Sequence, residues 1–172
     1  MPNYIRNKVY GGTYFFTVVT NDRIKFFLDQ DNADTLYKAI KWVQKRKSFD
    51  LLAYCIMPDH FHLLLTLPEN DNAFSQKIRD IKRQTTFSLR KKLGISDLAV
   101  WQDRFWEHTI RDENDLNNCF NYIHYNPVHH QLVDEPEQWK WSSYCDYYQD
   151  KPEKKPVIDP KQFEKSKSIY GE

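Results

Sequence analysis

The chain has 172 residues, enough for one domain with a sizeable core but short for two independent ones. Aromatic residues make up 16% of it and there are only four Gly, which excludes a disordered or low-complexity chain. The 25 Lys and Arg nearly balance the 24 Asp and Glu, so the net charge of +1 does not by itself indicate a nucleic-acid partner. Only the local distribution of charge is informative.

Cysteine usage and hydropathy indicate the compartment. The three cysteines are odd in number and widely separated, which predicts reduced thiols rather than a disulfide framework; they are Cys55, Cys119 and Cys145. There is no CxxC pair to indicate a zinc site. The sequence shows no apolar signal region at its N-terminus and no run of about 18 apolar residues. We therefore expect a cytoplasmic protein without a membrane partner.

The first elements are a strand followed by a helix. Aromatic and β-branched residues without helical spacing follow a Gly-Gly pair and predict a strand at 13–20. Apolar residues then recur at helical spacing and predict a helix over 32–47. Either Asp31 or Asn32 is available to cap the start of this helix.

Two strands and a long helix fill the middle of the chain. The strands are predicted at 51–56 and 60–67, joined by a Met-Pro-Asp turn. A single apolar stripe predicts a helix over 73–93, and Gly94 stands where a helix stop is expected.

A fourth strand and a third helix complete the pattern. Alternating residues predict a strand at 104–110, and Asp112 or Asn114 can cap a helix that runs toward Asn126. The resulting order is β-α-β-β-α-β-α. It matches the α+β, ferredoxin-like split βαβ plan, an antiparallel sheet with helices on one face, and the third helix is a C-terminal addition to that plan.

The domain is expected to span residues 1–150. The segment 139–148 is too rich in Trp and Tyr for a solvated linker, so we expect it to fold back onto the body. Residues 151–172 carry three prolines among six lysines, which predicts an extended, partly ordered tail.

Two histidines in the third predicted strand carry the most specific chemistry. His60 and His62 are two residues apart, so their side chains point to the same face of a strand. An arbitrary His-x-His pair more often lines a polar face, but the leucines that follow predict a strand covered on both faces. Buried imidazoles need polar partners, and one divalent metal ion satisfies both.

Residues 57–64, Met-Pro-Asp-His-Phe-His-Leu-Leu, resemble the His-hydrophobic-His motif of the HUH single-strand endonucleases. More narrowly, the chain resembles the REP-associated tyrosine transposases over about residues 10–148. The likeness continues in four later blocks, which are residues 101–106, 110–112, 122–128 and 139–143. Asp59 stands where the family usually has Asn, and Gln131 where it usually has Gly. We expect neither departure to touch the chemistry, although we expect the second to alter how the third helix ends.

This resemblance implies a catalytic tyrosine and a metal ligand on the third helix. The family's nucleophile maps to Tyr122, and its further metal ligand maps to Asn126, beside His60 and His62. Residues i and i+4 share a helix face, so Tyr122 and Asn126 can approach one ion together. His124 lies about 200° round the helix from Tyr122 and is the less favoured ligand.

One sequence feature complicates the face argument. Pro127 disfavours the α conformation at Asn126, so we expect an irregular last turn. The placement of Asn126 beside Tyr122 is therefore approximate.

The implied activity is metal-dependent cleavage of single-stranded DNA coupled to strand transfer. A phenol has an ordinary pKa of about 10, so it needs help of about 4 kcal/mol to react as a phenolate at neutral pH. Mg²⁺ or Mn²⁺ on a phosphate oxygen can supply part of it. The expected intermediate is a 5′-phosphotyrosine with a free 3′-hydroxyl, which allows rejoining without a nucleotide cofactor.

The predicted helix 73–93 concentrates positive charge, with seven basic residues against one Asp. A solvated helix face explains such a run equally often, yet phosphate contacts supply most non-specific DNA affinity. The expected DNA-binding residues, for single-stranded or hairpin DNA, are Lys77, Lys82, Arg83, Lys91, Lys92 and Arg104. Trp106, Tyr125 and the Trp139/Trp141 pair could stack on unpaired bases, but aromatic residues of this size are more often core.

Two other functions remain open on the sequence. One is a descendant of a transposase that binds nucleic-acid hairpins without cutting them. The other is a zinc hydrolase that uses His60, His62 and His124, which ranks last because no carboxylate is obviously spaced to act as base. Both a monomer and a homodimer are compatible with the sequence.

Overall fold

The computed structural model describes residues 6–150 together with Phe163, Tyr170 and Gly171. The strands are β1 (Thr13–Val19), β2 (Asp50–Ile56), β3 (His60–Thr66) and β4 (Trp106–Thr109). The helices are α1 (Gln30–Arg46), α2 (Phe74–Leu93), α3 (Glu113–His129) and a short α4 (Tyr144–Tyr148). The predicted α+β order is confirmed. β4 is shorter than expected and α3 is longer, while the rest of the predicted tail lies outside the described residues.

The four strands form one antiparallel sheet in the order β2-β3-β1-β4. This is the strand order of a split βαβ fold, because β3 lies between β1 and β2. Both β1 and β3 are central strands, and nearly every residue in them is buried. The prediction that the strand of His60 and His62 is covered on both faces is confirmed.

Alternation along the central strands sends side chains to two separate cores. Phe16 and Leu63 belong to the core beneath α1 and α2, whereas Phe15 and Leu64 belong to the core beneath α3. The helix added to the split βαβ plan therefore lies on the sheet face opposite α1 and α2. Odd and even residues of one strand consequently reach different layers of the protein.

The helix caps correct one expectation and decide another. α1 begins earlier than predicted, because Asp29, rather than Asp31 or Asn32, accepts a hydrogen bond from the Asn32 backbone N–H. The side-chain amide of Asn32 instead donates to the Phe26 backbone carbonyl. At α3 the cap is Asp112, whose side chain accepts from the Asp115 backbone N–H.

α3 continues through Pro127 to His129 instead of ending near Asn126. The Asn126 carbonyl accepts from the His130 backbone N–H at 3.0 Å, so the last turn is hydrogen-bonded beyond the proline. Gln131 then adopts φ +56°, the left-handed conformation that glycine takes most easily after a helix. The expected change at the end of this helix is therefore a strained backbone conformation at Gln131, where the family usually has Gly.

The Trp/Tyr-rich segment after α3 folds back onto the sheet, as predicted. The Trp141 carbonyl accepts from the Ile56 backbone N–H at 2.8 Å, and the Tyr54 carbonyl accepts from the Ser143 backbone N–H at 3.0 Å. The Trp139 indole also donates to the Ile56 carbonyl. These bonds satisfy backbone groups along the β2 edge, which would otherwise be open to another strand.

Within the part of the chain that is described, no helix combines the length and the apolar character needed to span a bilayer.

The end of α2 offers a clean test of backbone strain. Gly94 has φ +69°, and a Cβ placed on it would meet nothing within 4 Å. Gly94→Ala should therefore lower the free energy of unfolding by about 1 kcal/mol through conformation alone. Urea denaturation measures this, with Gly94→Asn as the control that loses less. An alanine variant as stable as the parent would contradict the assignment of a strained cap.

His124 makes stability depend on pH. It is fully buried, its Nε2 lies 2.8 Å from Ser143 Oγ, and burial lowers its pKa to about 3. Since the unfolded imidazole takes up a proton below about pH 6.5, the unfolded state binds more protons between about pH 6.5 and 3. The stability contributed by neutral His124 is thus full above about pH 6.5 and falls as the pH is lowered.

Chemical denaturation at about pH 7 and about pH 5 should show this loss. The parent protein should lose about 2 kcal/mol more than His124→Gln between these two pH values. Other titrating groups are common to both proteins and cancel in the comparison. Equal pH dependence in the two proteins would show that His124 does not stay neutral in the folded state.

Candidate active site

The two histidines of β3 lie side by side on the face that α3 covers. The ring centroids of His60 and His62 are 4.8 Å apart, and both side chains are buried. β1 lies next to them, with Val19 opposite His60 and Thr17 opposite His62. The expected common face is therefore present, and it belongs to the interior of the protein rather than to a solvated surface.

The Nδ1 atom of each imidazole contacts a neighbouring side chain. His60 Nδ1 lies 2.6 Å from Asp59 Oδ1, and His62 Nδ1 lies 3.0 Å from Thr17 Oγ1. With Nδ1 engaged in this way, Nε2 is the nitrogen through which either ring can coordinate a metal. The donor set fits a divalent cation.

The Asp59 carboxylate is itself held in place. Its second oxygen lies 3.4 Å from an Arg23 guanidinium nitrogen, and its backbone carbonyl accepts from Thr20. Burial acts to raise the pKa of the Asp59 carboxyl, but the hydrogen bond with His60 and the positive charge of Arg23 outweigh it and lower the pKa to about 2. Arg23 has φ +52°, so backbone strain accompanies this contact.

α3 places Tyr122 beside this pair. The ring of Tyr122 stands edge-on to His62, with a centroid distance of 5.5 Å, within the same chain. Asn126 is buried one turn later, and the ring of His130, a further turn on, lies 5.6 Å from His60. Because residues at this spacing share a helix face, Asn126 lies between two contacts with the histidine pair, one from Tyr122 on α3 and one from His130 directly after it.

Aromatic residues from the far end of the chain cover Tyr122. The Phe163 ring stacks on it at 4.6 Å, and the Tyr170 ring packs against it at 4.5 Å. Tyr122 is 2% exposed as a result. An extended, partly ordered tail was expected here; of it the structure describes Phe163, Tyr170 and Gly171, and the first two are its two aromatic residues.

Sequence reasoning also missed three polar neighbours of the pair. Thr17 and His130 come from other elements, and nothing in their local sequence marks them. Asp59 stood out only as a departure from the family pattern, although a carboxylate next to a histidine is itself a signal. His124 faces away from the pair toward Ser143, in agreement with its lower ranking.

A second group of side chains that could hold a metal lies between β4 and α3. Its members are His108, Asp115 and Cys119, whose possible ligand atoms lie within 4.8 Å of one another. Asp115, however, is bonded by His108 Nε2 and by Arg111 Nε. Burial raises the pKa of Cys119 to about 12 in the metal-free protein, so this thiol would have to lose a proton to become a ligand. We therefore favour the His60 and His62 pair.

The basic residues of α2 do not all face solvent. Lys77 is buried and forms an ion pair with Asp71, so its expected role in DNA binding is corrected: a phosphate cannot reach it. Lys92 contacts Asp29 and Asp31 at 3.5 and 3.8 Å, and Lys82 donates to two backbone carbonyls. The exposed members of the expected set are Arg83, Lys91, Lys92 and Arg104.

A groove of about 820 Å³ runs between α1, α2 and the loop that follows α2. Arg46, Arg79, Arg83 and Arg90 line it, together with the exposed aromatic rings of Trp42 and Phe87. This groove lies on the α1/α2 side of the sheet, away from the histidine pair. The combination of cationic and aromatic side chains suits a nucleic-acid strand.

Known proteins are similar to this chain in sequence and in fold. The pattern of the family described as "Transposase IS200 like" matches residues 8–126. A protein of Haemophilus influenzae named as a REP-associated tyrosine transposase is 41% identical over 152 residues, which cover 84% of this chain and 86% of the relative. One of Escherichia coli K12 is 36% identical over 144 residues, covering 84% of this chain and 83% of the relative.

Solved structures agree. A REP-associated tyrosine transposase bound to a REP hairpin superposes with a TM-score of 0.78 and 35% identity, over 87% of each chain. A transposase from Deinococcus radiodurans, with a TM-score of 0.52 and 18% identity over 67% of this chain and 91% of its own, shares the fold. The chain belongs to the IS200-like transposases, among the REP-associated tyrosine transposases.

Proposed function

We propose that this chain cuts and rejoins single-stranded DNA at or near hairpins, with Tyr122 as nucleophile and His60, His62 and Asn126 as metal ligands. The observation that carries the proposal is the position of the Tyr122 ring, 5.5 Å from His62 on the covered face of the sheet. Tyrosine and imidazoles come from one chain, so cleavage takes place in cis. We place this activity in the cytoplasm, as expected for a protein that acts on DNA.

The metal site is argued from its donors. Two imidazole nitrogens and one amide oxygen can hold a divalent cation, for which we propose Mn²⁺ or Mg²⁺, and leave coordination positions for phosphate and water. When bound, such a cation neutralises charge on a phosphate oxygen and aligns the scissile bond. Asp59 and Thr17 contact the Nδ1 atoms of His60 and His62 and so hold the two rings in a fixed orientation.

The chemistry at Tyr122 is a phosphoryl transfer. Its phenolic oxygen attacks the phosphorus, so the P–O bond to tyrosine forms while the bond to the 3′-oxygen breaks. The phenol loses its proton and the departing 3′-oxygen gains one, giving a 5′-phosphotyrosine and a free 3′-hydroxyl. A second 3′-hydroxyl reverses the step and joins a new strand. DNA reaches Tyr122 only when the Phe163 and Tyr170 rings are displaced, since both pack directly on it.

The DNA is captured on the opposite side of the sheet. The solved relative is described as bound to a REP hairpin, and we propose the same class of substrate for this chain. Arg83 lines the groove beside α2, and the exposed Lys91 and Arg104 extend the cationic surface. Lys82 also lines the groove, and Lys92 joins by exchanging its aspartate contacts for phosphate. Phosphate contacts of this kind position a strand without reading its sequence.

The nucleophile is tested by trapping the covalent intermediate. Incubating the protein with a single-stranded hairpin oligonucleotide and Mn²⁺ or Mg²⁺ should give an adduct stable to denaturing electrophoresis. Tyr122→Phe removes the attacking oxygen and should abolish the adduct, whereas Tyr147→Phe, a matched change at an exposed tyrosine, should preserve it. His60→Ala should lose cleavage while keeping part of the hairpin binding.

Three outcomes would contradict the proposal. Adduct formation by Tyr122→Phe at the parental rate would reject the nucleophile. Tight hairpin binding with no cleavage in any divalent metal would favour a non-cleaving hairpin-binding protein. Zn²⁺-dependent hydrolysis that survives loss of Tyr122 would favour a zinc hydrolase.

The groove is tested by the salt dependence of hairpin binding. Arg83→Ala combined with Lys91→Ala should weaken binding severalfold and reduce the slope of log K against log salt by about 1 for each phosphate that is no longer neutralised. Lys140→Ala is the control, because this exposed lysine does not line the groove. An unchanged slope in the double variant would place the DNA elsewhere.

A further inference from the structure

The contacts at the Nδ1 atoms of His60 and His62 determine which ring nitrogen carries the proton. Neutral imidazole has one N–H and one lone pair, and only the nitrogen with the lone pair can bind a metal. Coordination of one cation by His60 and His62 through Nε2 therefore requires the proton on Nδ1 in both rings. Each Nδ1 contacts a different element, the residue before β3 in one case and β1 in the other.

The proton on His62 follows from the hydroxyl beside it. Thr17 Oγ1 donates its single proton to the Tyr170 backbone carbonyl, at 2.6 Å. Having no second proton, the hydroxyl can only accept from the ring nitrogen 3.0 Å away. His62 Nδ1 must therefore carry the hydrogen, which leaves the Nε2 lone pair for a ligand.

The proton on His60 follows from the carboxylate beside it. An ionised carboxylate only accepts hydrogen bonds, so Asp59 Oδ1 requires a donor at His60 Nδ1, 2.6 Å away. Arg23, near the other carboxylate oxygen, favours the ionised form. The Thr20 backbone N–H donates to the Asp59 carbonyl at 2.9 Å and holds the turn, so the carboxylate stays next to His60 Nδ1.

We propose that Asp59 and Thr17 are positioning residues, which fix His60 and His62 as Nδ1–H tautomers and thereby direct both Nε2 lone pairs toward one divalent cation. This inference rests on the proposed function for its metal. It goes beyond the proposed function by assigning the orientation of the ligands to two side chains that are not themselves among the proposed ligands. Because the Tyr170 carbonyl orients the Thr17 hydroxyl, the C-terminal segment takes part in setting the tautomer of His62.

The first measurement needs neither metal nor DNA. Long-range ¹H–¹⁵N correlation spectra of the full-length, metal-free protein report which nitrogen of each histidine is protonated. We expect Nδ1–H for both His60 and His62. Thr17→Val should change the pattern of His62 alone, and Asp59→Ala that of His60 alone. Thr17→Ser and Asp59→Asn keep an acceptor oxygen in place and should restore the parental pattern.

The second measurement is Mn²⁺ affinity, from the electron paramagnetic resonance signal of free Mn²⁺. Thr17→Val and Asp59→Ala should each bind about 10- to 100-fold more weakly than the parent, as is typical when the partner of a metal-bound histidine is removed. Thr17→Ser and Asp59→Asn should lie near the parental value. Melting temperatures of all four variants establish that each one is folded.

The outcomes separate this inference from the proposed function. Parental tautomers and parental Mn²⁺ affinity in Thr17→Val and Asp59→Ala would overturn the positioning roles while cleavage by Tyr122 still stood. A parent protein that binds no Mn²⁺ would overturn both. Adducts that persist in Tyr122→Phe, with the expected tautomer changes, would overturn the proposed nucleophile alone.

Discussion

The candidate site depends on the packing of α3 against one face of the sheet. Alternation along β3 sends His60 and His62 to that face and Phe61 and Leu63 to the other, where α1 and α2 pack. A one-residue change of register would exchange the two sets and place imidazoles in an apolar core. The same register that builds both cores thus brings the histidines to the helix that carries Tyr122.

Burial determines how the site can operate. His60, His62, Asn126 and Tyr122 are all nearly inaccessible, and a low local dielectric strengthens every interaction among them. The same burial excludes substrate, since the Tyr122 ring is covered by rings from the end of the chain. In this transposase the packing that orders the site therefore also closes it to DNA. Tyr170 takes part in both effects, because its ring covers Tyr122 and its carbonyl accepts from Thr17.

Charge in this protein is informative only after the structure assigns each residue an environment. The helix that sequence analysis marked as basic contains Lys77, which is buried against Asp71, and Lys92, which contacts aspartates at the start of α1. The arginines on the other side of α2 line an open groove with Trp42 and Phe87. The proposed DNA surface and the proposed chemistry consequently lie on opposite sides of one sheet, so a bound strand must pass around the sheet edge to reach Tyr122.

The sequence by itself determined the local structure. The order of elements, the shared face of the two histidines and the separation of Tyr122 from His124 on α3 follow from periodicities of about two and 3.6 residues, which depend only on near neighbours. The stop at Gly94 follows from the ease with which glycine adopts a positive φ. Tertiary structure alone decided which sheet face α3 covers, that Thr17 lies behind His62, and that Phe163 and Tyr170 close over Tyr122. These contacts join residues that are far apart in the chain, and long-range packing sets them.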